Sequence, residues 1–134
     1  MKRADLERIV TLKKELKMWQ NRRDEIEESL AISAQQIDGM PFANTNEIHS
    51  TTEDMALRLM ECAEAIDQKI AEIQKAVYEA EKFILSLGDT KIRQIVELRC
   101  VGGRYFEDIA KYLGDGYTAD SVRQTYHRFM KELE

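Results

Sequence analysis

The amino-acid sequence predicts an all-α protein. A long antiparallel, coiled-coil-like helical hairpin is expected over residues 1–88, and three short helices over 89–134. Three observations carry that prediction. The 134-residue chain holds one Pro and six Gly and is rich in Glu, Lys, Leu and Ile, which favours helix over sheet. Apolar residues recur at alternating intervals of three and four over two long stretches. Turn signals at Asp38-Gly39, Gly88, Gly102-Gly103 and Gly114 cut the chain into pieces of helical length.

The first helix is expected over 4–37. Its stripe is Ile9, Leu12, Leu16, Trp19, Arg23, Ile26, Leu30, Ser33 and Ile37, spaced as a coiled-coil seam requires. Arg23 and Ser33 interrupt it. A polar seam residue fixes register at a cost in stability, and an Arg also has the reach to bring its charge to water.

Residues 38–52 read as a loop. Asp38-Gly39 is a turn signal, Pro41 biases Met40 away from helix, and Asn44, Thr45 and Asn46 continue the loop. Ser50 with Glu53, and Thr51 with Asp54, fit the capping-box spacing. The second long helix is expected from about Glu53 to Leu87. Its stripe is Met55, Leu59, Cys62, Ile66, Ile70, Ile73, Val77, Ala80, Ile84 and Leu87, with a stutter around Ile66. Gly88 suits a left-handed C-terminal cap, and Asp89 suits the next N-cap. Two helices of matched length joined by one loop predict a hairpin about 50 Å long at 1.5 Å per residue. Two helices alone bury only part of each stripe. A homodimer or higher oligomer through residues 4–87 is therefore expected, with a monomeric arm as the alternative.

The C-terminal segment divides into three helices. Residues 89–101 place Ile92, Ile95, Val96 and Leu98 on one apolar face before Gly102-Gly103. The next helix, about Tyr105–Leu113, buries Phe106, Ile109, Ala110 and Leu113. Small Ala110 permits a close helix crossing, and Gly114 permits positive φ where the turn begins. Thr118 then caps a third helix, with Ser121 three residues later and Asp120 in the first turn. Its inner face comprises Val122, Phe129, Met130, Leu133 and either Tyr126 or Thr125.

Charge and cysteine usage narrow the function classes. Residues 1–88 hold 12 basic and 17 acidic side chains, whereas 89–134 hold 8 of each, so the net charge of −5 belongs to the N-terminal part. Any affinity of 89–134 for nucleic acid has to come from a local basic face. Cys62 and Cys100 have no C-x-x-C partner and read as reduced, buried thiols. His49 and His127 stand in no recognisable ligand set, so no metal and no cofactor is expected. No nucleophile–base pair or phosphate loop is evident, and the chain is not expected to be an enzyme. No apolar run approaches the roughly 20 residues of a membrane span, and the N-terminus lacks a signal-peptide core. A cytoplasmic location without membrane contact is expected.

Two short helices around a Gly-rich turn are the layout of a helix-turn-helix, whose second helix can enter the major groove of double-stranded DNA. The outward-facing residues of the third helix are Thr118, Ala119, Asp120, Ser121, Arg123, Gln124, His127, Arg128 and Lys131. Short polar side chains and backbone N–H groups at a helix N-terminus suit phosphate. Arg123 can bond guanine O6 and N7 together, and Gln124 adenine N6 and N7. Arg128 and Lys131 are better placed for phosphates. Arg93, Arg99 and Arg104 could add backbone contacts.

The stretch from Ile95 to Leu133 resembles region 4 of sigma-70-type factors. It is more similar to the sigma-region-4-like regulators of Gram-positive phages and prophages, the ArpU and RinA type. The residues carrying the likeness are Leu98-Arg99, Gly103, Glu107, Ile109-Ala110, Leu113-Gly114, Thr118, Val122-Arg123-Gln124 and Arg128. Some phage proteins of that group also have an N-terminal helical region with D-G-M-P, here Asp38-Gly39-Met40-Pro41. The spacing departs at one point. The recognition-helix Val usually follows the Ala by ten residues, but Ala110 to Val122 is twelve, as if Asp115 and Gly116 were inserted in the turn. The resemblance implies a transcriptional regulator that binds DNA through 89–134 and oligomerises or contacts RNA polymerase through 1–88. Two alternatives are a DNA-packaging adaptor of small-terminase type and a coiled-coil interaction protein that binds no DNA.

Overall fold

In the computed structural model every regular element among the described residues is helical. The structure describes residues 1–38 and 46–134, and the side chains of 1–34 and 52–134. The elements are α1 (Arg3–Glu7), α2 (Ile9–Asp38), α3 (Asn46–Leu85), α4 (Thr90–Val96), a π-helical turn (Glu97–Val101), α5 (Phe106–Leu113) and α6 (Ala119–Glu132). The protein is all-α. Among the described residues no helix is long and apolar enough to cross a membrane.

The single helix expected over 4–37 is α1 and α2, parted only at Arg8. That residue stays near helical geometry, at φ −87° and ψ −4°. Its N–H reaches the Ala4 carbonyl at 3.2 Å, and its carbonyl accepts from Leu12 N–H at 2.8 Å, so the chain passes from one helix to the next in one turn. α3 starts at Asn46, ahead of the expected Glu53. Residues 39–45 of the expected loop lie outside the described residues, as do the side chains of Ser50 and Thr51 that were expected to cap the helix.

Two features of the second seam correct the sequence reading. Cys62 is exposed, and Ala63 is buried at 4% exposure. The inward positions of α3 and just beyond are Leu59, Ala63, Ile66, Ile70, Ile73, Val77, Ala80, Ile84 and Leu87. Gaps of four and three now alternate without a break, so the expected stutter disappears. Met55 is also outside the seam, at 57% exposure. Hydrophobicity drew the earlier register through Met55 and Cys62, whereas packing follows the heptad and takes the small Ala56 and Ala63. The second correction concerns Gly88, which has no positive φ. Ser86 takes over its expected role: its N–H reaches the Lys82 and Phe83 carbonyls at 3.1 Å, and its hydroxyl donates to Phe83 O at 2.6 Å. With those carbonyls satisfied, no left-handed cap is required.

The chain forms two compact units, residues 15–72 and residues 1–14 with 73–134. Neither ends at Gly88. In the 15–72 unit, Ile26, Ala63 and Ile66 form a buried cluster, with Trp19, Leu30, Leu59 and Ile70 packed against it. Trp19 Nε1 donates to Glu15 Oε1 at 3.1 Å, which satisfies the indole beside an apolar body. Arg23 pairs across this unit with Asp67 at 2.9 Å. Its Nη1 lies 3.4 Å from Glu27 Oε1 but is buried without a hydrogen bond. The attraction to Glu27 is therefore coulombic only.

The other unit draws on both ends of the chain. Leu6 and Ile9 are fully buried, as are Ile84, Ile95, Val96, Ile109, Val122 and Met130. Arg3 bonds Glu134 at 2.8 Å, and Lys13 bonds Glu81 at 2.7 Å. Asp89 caps α4 as expected, accepting from Lys91 N–H at 2.9 Å and Ile92 N–H at 3.2 Å. α6 packs on both α4 and α5.

Candidate nucleic-acid interface

The nine candidate residues of the third helix all lie on α6 or at its cap. Thr118 is the N-cap, and it forms a reciprocal pair with Ser121. Thr118 Oγ1 accepts from Ser121 N–H at 3.1 Å, and Ser121 Oγ accepts from Thr118 N–H at 3.0 Å. Both hydroxyls thus hold the helix end in place, and the Ser121 hydroxyl also donates to Thr118 O at 2.9 Å. Behind this cap, Val122, Tyr126, Phe129 and Met130 are buried. Arg123, Gln124, His127, Arg128 and Lys131 are exposed, while Ala119 and Ser121 are half-buried. The choice between Tyr126 and Thr125 falls to Tyr126. Half-buried Thr125 instead donates its hydroxyl to Ser121 O at 2.9 Å.

Local partners hold two of these side chains. Asp120 Oδ1 accepts from Arg123 Nη1 at 2.8 Å, one turn of helix apart. The Arg123 guanidinium also lies 5.7 Å from the Phe106 ring centre. The His127 ring sits 6.0 Å from Phe106, tilted against it, and 5.5 Å from Tyr126, edge to face. Arg123 and His127 therefore lean toward the start of α5, whereas no such ring contact ties Gln124, Arg128 or Lys131 among the described residues.

The turn between α5 and α6 is made by glycines. Gly114 has φ 95° and Gly116 φ 91°, a region that side chains rarely adopt. Both residues at the site of the apparent insertion, Asp115 and Gly116, are exposed. The lengthened turn thus projects outward and leaves the contact between α5 and α6 intact.

Three participants had no clear signal in the sequence: the π turn, Glu7 and Val10. The helix expected over 89–101 ends in a π turn, in which Gly102 N–H reaches back five residues to Glu97 O at 3.1 Å. The turn buries Cys100 and sets Arg99 over Phe106, 4.2 Å from its centre. The retrospective clue is Gly102, where a Cβ would meet the Leu98 carbonyl oxygen at 2.8 Å. Glu7 and Val10 supply the rest, because they join Arg99, Phe106, Arg123 and His127 around one recess. At its floor Cys100 Sγ lies 3.7 Å from the Tyr126 hydroxyl. Burial raises both groups above their ordinary values, and for Tyr126 the neighbouring Cys100 adds to the rise. Both stay protonated and pack as neutral groups.

No protein-family model, curated protein or solved structure matches the chain. The fold and the chemistry of α6 are the ground on which a function can be argued.

Proposed function

We propose that the protein is a DNA-binding transcriptional regulator of the phage and prophage type. In this reading α5 and α6 form a helix-turn-helix, and α6 enters the major groove. The observation that carries it is the division of α6. Four buried apolar residues anchor one side, and Arg123, Gln124, His127, Arg128 and Lys131 stand exposed on the other. The capped N-terminus favours phosphate, and Arg and Gln are the side chains that reach guanine and adenine edges. Arg123 would exchange its bond to Asp120 for a base edge.

The test uses duplexes selected by the protein from a random pool. Replacing Arg123 and Gln124 together with Ala should weaken binding to the selected sequence by about 1–3 kcal/mol per lost base contact, with little change on unrelated duplexes. Fluorescence anisotropy at several salt concentrations measures both. Equal loss on every sequence would assign these residues to phosphate alone. Salt-independent binding, or none, by the unmodified protein would end the DNA reading.

In the same reading α2 and α3 form an antiparallel hairpin that joins copies of the chain or contacts RNA polymerase. Support comes from the 15–72 unit, where Met18, Ile32, Met55, Leu57 and Met60 are each more than half exposed. Pairing would let two α6 helices bind one site together and raise avidity, which suits a domain of zero net charge. Sedimentation equilibrium should report a dimer or larger species. A monomer at tens of micromolar would remove this part of the proposal.

A further inference from the structure

We infer that the recess beside α6 binds a small phosphate monoester. The recess has a volume of about 460 Å³, in the range of small-ligand sites. It is walled by four segments: α1 and the start of α2, the π turn, the start of α5, and α6. A phosphate with an attached sugar or base fits that space. A DNA duplex is a rigid rod, and it meets a protruding helix more readily than a recess.

The charge arrangement selects the ligand class. Arg99 and Arg123 lie against the same ring, at 4.2 Å and 5.7 Å from the centre of Phe106. Each guanidinium is already aimed. Arg99 Nη1 donates to the Arg104 carbonyl at 2.9 Å, and Arg123 Nη1 donates to Asp120 at 2.8 Å. A guanidinium has five N–H donors, so both forks keep free donors after these bonds. The carboxylate that lines the recess, Glu7, shares Arg3 with Glu134, each at 2.8 Å. Among the described residues no carboxylate forms an ion pair with Arg99, whose hydrogen-bond partner is a backbone carbonyl. Two pre-aimed forks, one of them outside any ion pair, suit the several oxygens of a phosphate better than a monocarboxylate. The π turn strengthens the case, because it is what sets Arg99 over Phe106, and such turns recur at functional sites.

If α6 reads DNA, Arg123 cannot serve a base edge and this ligand together, so occupancy would lower DNA affinity. That consequence rests on the reading proposed above; the binding of the ligand does not.

Isothermal titration of the full chain with adenosine 5′-monophosphate, ribose 5-phosphate and acetate tests the site without any DNA. Both phosphate monoesters should bind with Kd below about 1 mM, and acetate should not. Arg99→Ala should weaken phosphate binding by about tenfold or more, and Arg99→Lys, which keeps the charge but loses the fork, should fall between. Amide shifts of the unmodified protein supply a reading independent of any variant's folding. Adenosine 5′-monophosphate should move the signals of Arg99, Gly103, Phe106 and His127. No heat and no shifts at that concentration would overturn the proposal. So would shifts confined to Thr118, Arg128 and Lys131, which would mean a phosphate resting on the outer face of α6.

Discussion

Replacing Leu6 and Ile9 together with Ala should unfold residues 89–134, although neither substitution lies in that segment. Both side chains are fully buried in the unit that contains α4, α5 and α6. Truncating a buried Leu or Ile to Ala costs about 2–5 kcal/mol at each site, partly through lost transfer energy and partly through the cavity left behind. Two such losses rival the 5–15 kcal/mol that stabilises a whole domain. Native-state hydrogen exchange reads the result residue by residue. Amides of Ile109, Val122 and Met130 should lose their protection in the double variant. If they stay protected, residues 89–134 fold without the N-terminal segment, and a division of the chain at Gly88 stands. The Arg3–Glu134 ion pair is the weaker part of the same contact. Its side chains are 33% and 58% exposed, so solvent screens the pair and it contributes little.

Ala63→Asp should destabilise the 15–72 unit by about 3 kcal/mol or more, whereas Cys62→Asp should change it by no more than about 0.5 kcal/mol. The two positions are adjacent in sequence and opposite in environment. Ala63 is 4% exposed beside Ile26 and Ile66, so an Asp there places a carboxylate among apolar groups. Cys62 faces outward. Urea unfolding followed by Trp19 fluorescence reports on this unit, because Trp19 packs against its core. Equal effects at the two positions, or a larger effect at Cys62, would restore the register that passes through Cys62.

Much of the helical architecture is legible in the sequence. The three–four alternation of α2 holds from Ile9 to Ser33, because its seam residues other than Arg23 and Ser33 are apolar. The caps at Asp89 and Thr118 were also readable, since a short side chain ahead of an apolar run has a specific hydrogen-bonding task. The α3 register was misread for the opposite reason. Met55 and Cys62 are apolar enough to attract the pattern, and the alanines that occupy the seam are too small to announce themselves. For the candidate site, the exposed row on α6 follows from period and polarity alone. The recess beside it does not. It depends on a π turn, which has no periodic signature, and on Glu7 and Val10, which are distant in sequence from the helices they meet.

The bond between Arg3 and Glu134 joins residues 131 positions apart. A ribosome adds about 5–20 residues per second, so on the order of ten seconds separates the emergence of Leu6 from that of Met130. During that interval the core that buries Leu6 and Ile9 is incomplete. The pairing of α2 with α3 within residues 15–72 closes a much shorter loop and is free to form meanwhile. Nascent chains halted before α6 should therefore carry a protected Trp19 and a protease-sensitive N-terminus.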